Sequence, residues 1–95
     1  MIDAGYRLFE TSPFLKKLES LPPLDRERLR RKLDTHVYPH LRVEPHRGPW
    51  IKKLKGYRPW TWRYRMGPWR LFYEIDETNR VVLVTAVTLR RDAYR

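Results

Sequence analysis

Between Trp60 and Thr88 the chain alternates arginine with aromatic and aliphatic residues at a period of two, and few folds accept that pattern. Successive side chains of a strand point to opposite faces, so such a run buries one face and charges the other. Trp62, Tyr64 and Met66 fall on one side of their strand, with Arg63 and Arg65 on the other. Gly67-Pro68 and Glu77-Thr78-Asn79 supply turn chemistry between successive runs. Strands are predicted near Trp50 to Lys55, Trp60 to Met66, Trp69 to Ile75 and Arg80 to Thr88. A sheet that sets guanidinium groups beside aromatic rings suits RNA, because phosphates take the charge and unstacked bases take the rings.

The first half keeps a different period. A short strand is predicted at Tyr6 to Phe9. Ser12 followed by Pro13 reads as a helix start, with serine as N-cap and proline at the first helical position. Phe14, Leu18 and Leu21 then share a face, and Pro22-Pro23 leads into a second helix where Leu29, Leu33 and Val37 recur every four residues. Its other face carries Arg26, Arg30, Arg31 and Asp34. Pro39, Pro45, Gly48 and Pro49 predict a loop from Tyr38 to Trp50. The expected fold class is α+β: one domain over residues 1–95, with a twisted antiparallel sheet and an N-terminal helix pair packed on one face.

The net charge is +10. Met1 to Pro49 has ten basic and seven acidic side chains; Trp50 to Arg95 has eleven and four, so the excess lies with the strands. This balance favours an acidic partner. Without cysteine, disulfides and thiolate metal sites are excluded. No stretch resembles a signal peptide or reaches transmembrane length, so a cytoplasmic protein without a membrane partner is expected.

With these elements placed, the chain resembles the RelE/ParE superfamily of type II toxins. The resemblance rests on Lys53-Leu54-Lys55-Gly56, on the run from Arg63 through Trp69-Arg70 to Asp76, and on Arg90-Arg91-Asp92-Ala93-Tyr94, in that order behind a helix pair. It implies a small toxin neutralised by a cognate antitoxin. Many RelE-like members cut mRNA, typically in the ribosomal A site, without a metal. The ParE-like branch poisons DNA gyrase on the same fold, so fold leaves the activity open. The expectation is a RelE-like endoribonuclease that inhibits translation, with mRNA on or off the ribosome as substrate and no cofactor. The alternatives are a gyrase inhibitor and a catalytically silent basic RNA-binding module.

Cutting RNA through the 2′-hydroxyl requires a base, cations for the phosphoryl oxygens, and an acid for the leaving oxygen. Arg70 matches the family's sheet arginine that holds the scissile phosphate; on an open sheet face it would otherwise pair with Glu74 or Asp76. Arg63 and Arg65 either clamp RNA or form a solvated face. Arg90 matches a second phosphate-binding arginine, with Arg91 beside it, though both also fit a charged tail. Tyr94 matches a tail tyrosine that stacks on the substrate base, and would otherwise anchor the terminus.

The base is not visible. Thr61 and Arg63 stand where some relatives carry a lysine base, and Leu89 stands where others carry histidine. Arginine is unsuited, its pKa being roughly 12.5 or above. Lys53 or Lys55 would serve if desolvation and neighbouring arginines lowered a lysine pKa. His36, His40 and His46 read as surface or loop histidines, because Pro39 is expected to end the helix between the first two. No metal site is expected.

Overall fold

Leu29, Leu33, Val37 and Leu41 are each at most 3% exposed, so the four-residue apolar series continues past the point where proline was expected to stop it. The computed structural model describes residues 5–93. Its elements are β1 (Arg7–Glu10), α1 (Ser12–Glu19), α2 (Pro23–Lys32), a π-helical stretch (Leu33–Val37), α3 (Tyr38–Val43), β2 (Ile51–Leu54), β3 (Thr61–Met66), β4 (Trp69–Asp76), β5 (Val81–Leu89) and α4 (Arg90–Ala93).

The loop expected from Tyr38 is therefore wrong over its first six residues. Pro39 has no N–H to donate, and its ring crowds the preceding turn. The π-helical stretch widens that turn, and the Tyr38 N–H reaches back five residues to the Leu33 carbonyl. The helix bends its hydrogen-bond pattern around Pro39 rather than ending there. The start of α1 also differs from expectation. Thr11, not Ser12, is the N-cap residue, and its side chain caps nothing. Its hydroxyl and N–H instead donate to the Val84 carbonyl at 2.8 and 3.1 Å, carrying β1 pairing up to the helix.

The five strands form one sheet in the order β1-β5-β4-β3-β2. β2 to β5 are an antiparallel meander, as the turn chemistry predicts. β1 departs from the all-antiparallel expectation: it pairs parallel with β5, Leu8 opposite Val82. The chain leaves β1 into the helical layer and re-enters the sheet at the far edge, so three antiparallel hairpins bring β5 back beside β1 in the same direction. The helices cover one face. Phe14, Leu18, Leu33 and Val37 meet Tyr64, Leu71, Tyr73, Val82, Val84 and Val87 in one cluster.

The segment after α3 is fastened to this core by polar contacts. Buried Tyr73 donates its hydroxyl to the Pro45 carbonyl at 2.7 Å. His46 lies between two carboxylates, with Nδ1 2.9 Å from Glu44 and Nε2 2.5 Å from Glu77. Glu77 also accepts from the Tyr6 hydroxyl at 2.8 Å. Burial alone would push the His46 pKa down, but the hydrogen bonds to Glu77 and Glu44 outweigh it and raise the pKa. The hydrogen bond from His46 holds Glu77 below the usual carboxylate range.

Candidate functional site

The ladder places Arg65 directly opposite Arg70, and Arg70 opposite Thr88. This rung lies beside the β3–β4 turn, where Gly67 takes φ 58°, a left-handed conformation that glycine adopts without penalty. The Arg90 N–H donates to the Pro68 carbonyl at 2.7 Å and ties the start of α4 to the same turn. Arg65, Arg70, Arg90 and Arg91 thus come to one place from three elements. Together with Lys32 they line a cavity of about 1360 Å³, and no acidic side chain is among its described lining residues. It is wider than the roughly 300–1,000 Å³ typical of small-molecule sites, and suits a polymer segment better.

Arg70 is not on an open face. It is 5% exposed, and one guanidinium nitrogen donates to the carbonyls of Gly67 at 2.7 Å and Trp69 at 2.9 Å. The turn's own acceptors draw the side chain in. The Asp76 carboxylate, one suggested partner, accepts from the Asn79 backbone and side chain. Arg65, Arg90 and Arg91 are exposed and border the cavity.

The same cavity is lined by aromatic and imidazole side chains: Trp50 just before β2, Tyr64 of β3, and His36 and His40 of the helical run. Trp50 and Tyr64 stack, with centroids 6.3 Å apart and planes at 28°. The Tyr64 hydroxyl lies 3.0 Å from His40 Nδ1, while His40 Nε2 lies 2.9 Å from the Arg47 carbonyl. A carbonyl only accepts, so Nε2 carries the proton and Nδ1 accepts from Tyr64. Burial pushes the Tyr64 pKa up, which keeps that proton in place. Gly48 makes this packing possible: a Cβ there would sit 2.5 Å from His40 Cε1. His36 also lines the cavity and is exposed.

The remaining expected residues lie elsewhere. Arg63 stands two rungs further along, opposite Phe72, and is half-buried. The Lys53 ammonium sits 4.1 Å above the Trp60 ring and 5.5 Å from that of Trp62, bordering a separate, smaller hollow with Asp76 and Glu77. Lys55 is exposed in the turn after β2. Tyr94 lies outside the described residues. Sequence reasoning did not place Lys32, His36, His40, Trp50 and Tyr64 in this site. The signal was present: Lys32, His36 and His40 recur every four residues, one position behind Leu33, Val37 and Leu41. Reading a loop from Tyr38 hid it. Among the described residues no group of three or more metal-ligating side chains is assembled, and no helix is long and apolar enough to cross a membrane.

The sequence model of the ParE toxin of type II toxin-antitoxin systems, parDE, matches residues 11–94. No curated protein sequence matches the chain. Among solved structures, the chain is similar to a RelBE toxin–antitoxin complex from Mycobacterium tuberculosis, with TM-score 0.69 and 24% identity over 92% of this chain and 100% of that one. It is also similar to isolated RelE toxin from E. coli, with TM-score 0.59 and 27% identity over 88% of this chain and 83% of that one. The E. coli RelBE toxin–antitoxin complex gives TM-score 0.58 and 26% identity over 88% and 95% of the two chains.

Proposed function

The chain belongs to the ParE toxin family of type II toxin–antitoxin systems, within the RelE/ParE superfamily, and from that premise we propose that it is an endoribonuclease that inhibits translation by cutting mRNA. The observation that carries this reading is the cavity itself: five basic side chains, an aromatic wall, and no carboxylate among its described lining. Guanidinium groups remain charged and donate in a planar fork, which suits a phosphodiester gathering negative charge.

In this mechanism Arg65 and Arg90 hold the phosphoryl oxygens, and Arg91 and Lys32 add to the local potential. Arg70 shapes the β3–β4 turn through its bonds to the Gly67 and Trp69 carbonyls and adds its positive charge to the same potential. His36 takes the 2′-hydroxyl proton, since both nitrogens of His40 are engaged with Tyr64 and Arg47. The 2′-oxygen then bonds to phosphorus as the P–O5′ bond breaks, and the leaving 5′-oxygen takes a proton from water, which leaves a 2′,3′-cyclic phosphate. An imidazole is a better base at neutral pH than the lysines expected for the role. Lys53, Lys55 and Arg63 lie outside the cavity and hold flanking phosphates, while Tyr94 contributes to the substrate base. Cleavage needs no metal ion in this scheme, because the cations are side chains.

The partner is a cognate antitoxin, as in the E. coli and M. tuberculosis complexes, and its docking segment brings carboxylates to the basic surface. The reaction is tested with purified toxin, mRNA and ribosomes, each with and without the other. RNA cut only when active toxin is present supports the nuclease reading. A second reading, inhibition of DNA gyrase, has in its favour that the matching family model is that of ParE. Growth arrest with intact mRNA and accumulating gyrase-linked DNA breaks would put it in place of the first.

A further inference from the structure

We propose that Trp50 is a base-stacking platform, which holds a single-stranded nucleobase next to the phosphate-binding arginines and prefers purines. This rests on the RNA reading of the cavity and goes beyond it by assigning a base subsite.

Trp50 is 45% exposed, so the indole is accessible to a ligand. Other exposed aromatics are differently placed. Trp60 has cations near its ring, Lys53 at 4.1 Å and Arg58 at 4.8 Å. Phe9, Tyr57 and Trp60 do not border the arginine cavity; Trp50 does.

The platform is held in place before any ligand arrives. On one side Trp50 stacks on Tyr64, which is 5% exposed and fixed through its hydroxyl to His40. His40 is fixed in turn by the Arg47 carbonyl and by the space Gly48 leaves. The Trp50 carbonyl accepts the Arg65 N–H at 2.9 Å, so the ring and the phosphate-binding arginine share one backbone tie. A rigid ring loses little entropy when a base lands on it. Charge identifies the occupant: the same cavity carries five cations and no described acid, so the ligand joins a flat apolar ring to an anion. A nucleotide within a single strand has both. Purines offer the larger stacking surface, and stacking strength sets the preferences of such sites.

The test is direct binding of 2′-O-methyl dinucleotides, ApA and CpC, which lack the attacking hydroxyl and cannot be cut by this route. Calorimetry on wild type, Trp50→Phe, Trp50→Ala and Arg65→Ala gives the affinities, with thermal melting as the fold check. ApA should bind more tightly than CpC. Trp50→Ala should weaken ApA by about five- to a hundredfold, the scale of one lost base–aromatic stack. Trp50→Phe should lose much less and narrow the gap between the two ligands. A wild type that binds neither dinucleotide, or a folded Trp50→Ala protein that binds ApA within twofold of wild type, overturns the platform. Tight ApA binding that depends on Trp50, in a protein that leaves native RNA uncut, keeps the platform and overturns the nuclease reading. Unchanged binding and cleavage in Trp50→Ala does the reverse.

Discussion

Arg70 donates to two carbonyls of the turn that precedes it, so Arg70→Ala removes the donor that Gly67 and Trp69 share. A hydrogen bond from a charged group is worth about 1.5–3 kcal/mol. We expect that variant to lose about 2 kcal/mol of stability, seen as a lower melting temperature, together with any loss of cleavage. Arg65 is exposed and separates the two effects. Arg65→Ala should melt like wild type and cut RNA about a hundredfold more slowly, the scale of losing one preorganised donor to developing charge. His36→Gln should leave dinucleotide affinity unchanged and slow cleavage by about a hundredfold or more, as loss of a positioned base does. Equal cleavage by His36→Gln and wild type would remove His36 from the mechanism. The motif singled out Arg70, which borders the cavity, but its burial was not legible in the sequence. Periodicity assigns a face to each residue of a strand and says nothing of carbonyls a turn brings within reach.

At the scale of elements, the strands and their turns were legible because period-two alternation and Gly67-Pro68 are local signals. The helical run through Pro39 was not, because the rule that proline ends a helix takes no account of a widened turn. The segment from Glu44 to Trp50 depends on a clasp no local signal announces: Glu44, His46 and Glu77, with Tyr6 on Glu77 and Arg80 over the Tyr6 ring at 4.3 Å. The folded-state pKa of His46 is raised. Its stabilisation is therefore complete below the unfolded value and lost as pH rises through the folded one. Those of Glu44 and Glu77 are lowered, so their contributions are complete above the unfolded value and lost as pH falls through the folded ones. All three act together between about pH 4.5 and 6.5, the ordinary ranges of glutamate and histidine. Melting temperature against pH should therefore fall on the alkaline side of that window. His46→Gln should flatten the alkaline limb. An unchanged limb in that variant would show that His46 stays neutral in its clasp.

For the whole molecule, the sequence announced an excess of positive charge in the strand half, and the fold gathers part of it into one cavity. Lys32 belongs to α2, Arg65 and Arg70 to the β3–β4 hairpin, and Arg90 and Arg91 to α4; no linear reading brings these together. Their number makes the RNA proposal quantitative. Binding to a single strand releases counterions, and the logarithm of affinity falls against the logarithm of salt with a slope of about −0.7 per neutralised phosphate. If four or five of these cations each meet a phosphate, the slope for a short uncleavable RNA should be about −3. Arg65→Ala should make it shallower by about 0.7. Arg70→Ala should change it less, because that guanidinium already serves two carbonyls and sits away from solvent. Equilibrium titrations between low and moderate salt measure all three slopes. A wild-type slope near −1, or equal losses from the two arginines, would mean that RNA crosses the protein elsewhere and that the cavity is occupied by something other than a phosphate chain.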